Sequence, residues 1–265
     1  MKNLFKYSCV LLISGLSLHV SAQIKKKESR NLFSAGYAAA FIGGLYDAFY
    51  PYTQLKQHGD FGLGAPDKLD GEIIMLNGRL YQTRSTGKTT PISDTANTAY
   101  AIVCFFHATE TFRPSGPMNK EALFHYLDSV LANKNGLYAI HIRGDYSYVK
   151  TRAFPPVQKP YAPLATMLDK QHFFEFHSVT GDLVGYRLPA FMEGEHIKGY
   201  HFHFLSDDKT GGGHIIDLLT SNITIEVETL NSYTLDLPQT PDFNNYDFKT
   251  DRREEIKSVE NGIKK

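Results

Sequence analysis

The stretch GYHFHFLSDDKTGGGHIIDL, residues 199–218, decides how this chain is read. In a β-strand, side chains two apart share a face, so His201 and His203 point one way while Tyr200, Phe202 and Phe204 point the other. The polar segment that follows ends in Gly211, Gly212 and Gly213, three residues that permit sharp backbone geometry. His214 then opens a second apolar strand, and a hairpin brings its imidazole to the other two. Three neutral histidines, with metal–nitrogen distances of about 2.0 to 2.1 Å, are one standard way to hold catalytic zinc and leave a position open for water or substrate. A His-x-His pair alone is common on exposed strands. The third histidine after the glycine turn is what turns the reading toward a metal site on a β-hairpin. His58, His107, His125, His141, His172, His177 and His196 have no such company and read as surface or supporting groups.

Outward from this hairpin, strands dominate. EIIMLNGRLYQ (72–82) is a hairpin around Asn77-Gly78, with Glu72 at the start of its first arm. YAIVCFF (100–106) and the run from Leu137 to Ile142 read as buried strands, and Ile223 to Leu230 as another. Phe173 to Val179 and Leu183 to Leu188 alternate on either side of Gly181-Asp182, which predicts a further hairpin. Asn119 to Ala132 predicts a helix with Leu123, Leu127, Val130 and Leu131 on one face, and Ala35 to Tyr50 a short helix weakened by Gly43 and Gly44. The proline-rich segment 155–163 is a loop or inter-lobe connection. Residues 23 to about 33 read as a mobile leader, and those from Pro241 onward as a long polar tail. The expected fold is α+β, with mostly antiparallel or mixed sheets in two closely packed lobes and few helices.

Composition narrows the partners. Lys+Arg and Asp+Glu are both 28 in 265 residues, so no net field draws nucleic acid or an anionic membrane surface, and a small-molecule partner is expected. Residues 1–22 have the form of a secretory signal: Lys2 and Lys6, an apolar run from Cys9 to Leu18, then Val20-Ser21-Ala22. The mature chain, 23–265, is expected to be exported to the periplasm or the medium without a membrane anchor. With Cys9 removed, Cys104 has no partner for an intramolecular disulfide.

The sequence resembles the bacterial alpha-acetolactate decarboxylases over nearly all the mature chain, from about Tyr37 to Glu260. The resemblance is carried by HGDFGLGAPDKLDGEIIMLNG (58–78), KTRAFPPVQKPYAPL (150–164), GDLVGYRLPAFM (181–192) and the histidine hairpin. It implies that His201, His203 and His214 are the zinc ligands, that Glu72 in the LDGE motif and Glu260 near the C-terminus are the active-site glutamates, completing the metal sphere or delivering a proton, and that Arg152 faces the substrate. It also implies that the tail from about Pro241 returns to the active site across the lobe carrying the histidine hairpin, packing Phe243, Tyr246, Phe248 and Ile256 against it. Without the resemblance, Glu72, Arg152 and Glu260 would each read as solvated surface. In one place the chain departs from the family pattern: Gly-Leu-Gly is followed by Ala65-Pro66 where Thr-Phe is usual. Any hydrogen bond made by that threonine is therefore absent here or made by water.

The expected reaction is metal-dependent decarboxylation of 2-acetolactate to acetoin and carbon dioxide. It has a single zinc ion per chain stabilising the enediolate, although another divalent metal would serve the same chemistry. Arg152 is expected to orient the substrate carboxylate. A secreted zinc-dependent hydrolase with Glu72 as general base, or a non-catalytic periplasmic protein binding metal or ligand, would use the same histidines. The sequence leaves a homodimer open.

Overall fold

A computed structural model describes residues 30–262. The secretory-signal reading of residues 1–22 lies outside them, as does most of the expected leader. Among the described residues, thirteen strands form two sheets. The first half of the chain supplies β1 (Asn31–Ala35), β2 (Tyr50–Pro51), β3 (Phe61–Pro66), β4 (Glu72–Leu76), β5 (Arg79–Thr83), β6 (Thr89–Pro91) and β7 (Asn97–Cys104). The rest of the chain supplies β8 (Glu110–Phe112), β9 (Leu137–Ala153), β10 (His172–Leu188), β11 (Gly199–Ser206) and β12 (Gly212–Leu230), and β13 (Ser232–Asp236) returns to the first sheet. The first sheet runs β13-β1-β7-β3-β4-β5-β6, with β2 on β7; only the β1–β13 pair is parallel. The second runs β11-β10-β9-β12-β8, and because β11 also pairs with β12 its ribbon closes on itself. The result is the mixed, largely antiparallel α+β fold that the sequence predicts.

The two sheets pack face to face. Leu63, Ile74 and Tyr100 of the first meet Val184, Tyr186 and Leu205 of the second in one buried cluster. A separate cluster forms where the second sheet takes up the helix Lys120–Val130, whose Leu123 and Leu127 are fully buried. That helix begins where its sequence directs: Asn119 accepts a hydrogen bond from the Ala122 N–H at 2.9 Å. Asn77 and Gly78 both have positive φ, 52° and 71°, as the two-residue hairpin turn requires.

Several expectations are corrected. Residues 31–35 are not leader but β1, with Leu32 and Phe33 buried. The helix read over Ala35–Tyr50 shrinks to Ala38–Ile42, since Gly43 caps it and Gly44 turns away at φ 116°. The hairpin predicted at Gly181-Asp182 is absent. Gly181 pairs with Gly144 on one side and Ser206 on the other, so β10 runs straight through it. Likewise His214–Leu219 and Ile223–Leu230 belong to one strand, β12, whose register shifts between Ile215 and Asn222 absorb the polar break. The polar tail folds into the helices Pro241–Asn244 and Arg253–Asn261. The second buries Ile256 and Val259 against the core between the sheets. Phe243 and Tyr246 pack edge-on against Phe248, which itself packs edge-on against Tyr37, at the first helix rather than on the histidine hairpin. Among the described residues, no helix is long and apolar enough to cross a membrane.

Asp182 holds the second sheet together on its polar side. Its carboxylate oxygens lie 2.9 Å from His141 Nε2 and 3.0 Å from Lys209 Nζ, and His141 Nδ1 lies 3.1 Å from Glu226. Burial would raise the pKa of Asp182, but these hydrogen bonds outweigh it and hold the carboxyl below its ordinary range. A group depressed in the folded state stabilises the fold above its unfolded value and loses that contribution as pH falls through the folded one. Asp182→Asn should therefore flatten the loss of thermal stability between about pH 5 and pH 2, read as melting temperature against pH. An acid limb as steep as the wild type's would show that Asp182 does not carry it.

Candidate active site

The histidine hairpin forms as its alternation demands. His201 and His203 lie on β11, and His203 pairs directly with His214 of β12. Lys209, at φ 60°, turns the chain, and Gly213, at φ 123°, lets the next strand start beside Arg152. A side chain at Gly213 would put its Cβ 2.7 Å from the Arg152 carbonyl oxygen. The three imidazole centroids are 5.0 to 5.4 Å apart, and one nitrogen of each lies within 4.8 Å of the others.

All six residues singled out from the sequence come to one cavity between the sheets. Glu72 starts β4, held in place by Gly71 at φ 96°, where a Cβ would lie 2.0 Å from the Thr83 carbonyl. Arg152 stands on β9 directly across from His214. Glu260 reaches in from the last helix, its carboxylate 3.9 Å from His201 Nε2 and 3.8 Å from His214 Nε2. Arg152 donates to Glu72 at 3.3 Å and to the Val259 carbonyl at 3.1 Å, tying β4, β9 and the last helix together. Gly64, Ala65 and Tyr100 add the first sheet's wall, with Leu69 from the turn between β3 and β4. Ala65 presents only a methyl group there. Tyr100, read from sequence simply as part of a buried strand, was missed as a cavity residue, because nothing in a run of apolar residues marks which one faces a void. His196, read as a surface or supporting group, is fully buried behind Tyr100.

The electrostatics follow from burial. It drives all three imidazoles toward the neutral form: His203 is lowered to about 3, and His201 and His214 well below the ordinary value, with Arg152 adding to the effect. Burial pushes Glu72 up to about 8 and Glu260 up to about 7, against the pull of Arg152. His203 Nδ1 donates to the Ile73 carbonyl at 2.8 Å, which leaves its Nε2 lone pair toward the cavity, 3.4 Å from Glu72. His203 Nε2 and His201 Nδ1 are buried without a hydrogen-bond partner. Neutral, convergent imidazoles with unspent nitrogens and two adjoining carboxylates fit a divalent cation, which would also draw the glutamates back toward ionisation.

The fold and cavity thus define a buried candidate metal centre in a two-sheet α+β scaffold. Residues 32–250 match the family model described as Alpha-acetolactate decarboxylase. The chain is 36% identical over 237 residues to the alpha-acetolactate decarboxylase of Methanosarcina mazei, covering 89% of this chain and 82% of that protein. It is 34% identical over 234 residues to that of Methylococcus capsulatus, covering 88% and 90%. The crystal structure of alpha-acetolactate decarboxylase from Bacillus subtilis strain 168 superposes with a TM-score of 0.84 at 30% identity, over 87% of this chain and 99% of that one. The chain belongs to the alpha-acetolactate decarboxylase family, whose curated members are carboxy-lyases.

If the three imidazoles bind metal together, losing one ligand opens the site. His203→Ala should emerge with less than a tenth of the wild type's bound metal, measured by elemental analysis after dialysis. Full metal content in that variant would remove His203 from the ligand set.

Proposed function

We propose that this protein decarboxylates 2-acetolactate to acetoin at the cavity described above, using a divalent metal held by His201, His203 and His214. The observation that carries the proposal is the convergence of three neutral imidazoles with one buried arginine in a single cavity. A bound zinc or similar ion supplies Lewis-acid stabilisation of negative charge developing on the substrate's ketone oxygen.

The chain's own residues supply the rest. Arg152 is almost wholly buried, and its Nε has no partner, so donors remain for the substrate carboxylate. The pairing positions the bond to be broken, and its attraction vanishes as the carboxylate leaves as neutral carbon dioxide. Leu69, Phe154 and Leu164 close the apolar wall and exclude water, which strengthens each charge interaction inside. The enediolate left behind needs one proton on carbon to become acetoin. Glu72 and Glu260 are the carboxyl groups on the cavity wall, and burial favours a proton on each.

Incubating the purified protein with acetolactate and scoring acetoin tests the reaction; chelator should abolish it and added zinc restore it. Product formation unaffected by exhaustive chelation would overturn the metal dependence, and no acetoin at all would overturn the activity. Arg152→Lys keeps the charge but loses the planar fork, so kcat/KM should fall at least about tenfold with metal content unchanged. Kinetics matching the wild type would take Arg152 out of the substrate site.

Glu260→Gln preserves the packing of Ile256 and Val259 beneath the last helix, so it isolates the carboxylate from the cover. Turnover should drop about a hundredfold or more, as for loss of a proton-transfer group, in a protein that still melts cooperatively. Retention of activity within about twofold would assign Glu260 to the cover alone.

A further inference from the structure

Among the residues lining the cavity, Tyr100 carries the only hydroxyl. It stands on β7 directly opposite Ala65 of β3, so the small alanine leaves the phenol room on the cavity wall. Its ring stacks on Phe41 with centroids 5.7 Å apart, a contact that phenylalanine would make equally well. Packing therefore accounts for the ring but not for the oxygen. A buried hydroxyl is costly unless it is hydrogen-bonded. The bond this one makes, with His196 Nδ1, is long at 3.5 Å.

His196 sets the direction of that bond. Its backbone N–H is pinned to the Met192 carbonyl at 2.9 Å, and its side chain is fully buried. Burial lowers its pKa to about 4, so the ring is neutral and has one N–H. Nε2 is buried without a partner, and an orphaned N–H is less tolerated in an interior than an orphaned lone pair. The proton therefore resides on Nδ1 and faces the phenol oxygen. The Tyr100 O–H is left free to donate elsewhere, and burial with the nearby charge of Glu260 keeps it protonated.

We propose that Tyr100 is a further substrate-binding residue whose hydroxyl, positioned by His196, donates a hydrogen bond to an oxygen of the bound hydroxy-keto acid. This rests on the functional reading above. The contact lies on the wall where Ala65 offers no hydroxyl, and it adds a neutral donor to the charged grip of Arg152.

The test compares wild type with Tyr100→Phe, which removes one oxygen and keeps the ring. Two readouts are used: kcat/KM for acetolactate, and calorimetric affinity of the metal-loaded protein for the substrate whose ketone has been reduced to an alcohol. That analogue keeps an oxygen at all three positions and cannot lose carbon dioxide. Tyr100→Phe should lower both quantities about tenfold with bound metal unchanged. His196→Asn should lower kcat/KM in the wild-type background and have no further effect when combined with Tyr100→Phe, because it acts through the phenol. If the wild type forms acetoin and binds the analogue and Tyr100→Phe matches it in both, the assignment of Tyr100 is wrong. If the wild type does neither, the functional reading itself fails and this proposal falls with it.

Discussion

The hydrogen bond from His203 Nδ1 to the Ile73 carbonyl is the contact on which the cavity depends. It crosses between the sheets, joining the strand that carries two of the imidazoles to the one that begins with Glu72. It sets the tautomer of His203, and so the nitrogen left for a cation. It also fixes the distance between a histidine of one sheet and a carboxylate of the other. Arg152 repeats the device by reaching Glu72 on one side and the Val259 carbonyl of the last helix on the other. Three separate parts of the chain are thereby held to one point by polar contacts inside an apolar core.

Such an arrangement carries an electrostatic cost that explains its chemistry. With Arg152 positive and both glutamates ionised, the cavity would hold one excess negative charge away from water. Burial resists that state, which is why Glu72 and Glu260 are pushed up toward neutrality. A divalent cation among the neutral imidazoles reverses the balance, whereas a proton on either carboxyl cancels the excess charge. The cavity is thus responsive both to a cation and to a proton, the two charges a decarboxylation needs to manage.

Local patterning determined a good deal of this protein. The alternation of HFH, the reversal before His214, the Asn77-Gly78 turn and the Asn119 cap all act within a few residues, and each forms as its side chains direct. The dominance of strands, and with it the α+β class, follows from the same short-range signals. Family resemblance added Glu72, Arg152 and Glu260, none of which has a local signature.

What only the tertiary structure decided is where those local pieces meet. Gly181-Asp182 has the composition of a turn, yet two neighbouring strands pair with Gly181 and keep it extended, because ladder hydrogen bonds on both sides outweigh a dipeptide's preference. The segment carrying Glu260 is polar enough to read as a tail, but Ile256 and Val259 find an apolar surface built from distant residues and fold it into a helix over the cavity. Tyr100 and His196 lie 96 residues apart, and their contact exists only because an inner strand of one sheet and one buried turn converge. Side-chain periodicity acts over a few residues and so is written in the sequence; the closing of a cavity depends on contacts between segments far apart in the chain, and these exist only once the sheets have packed.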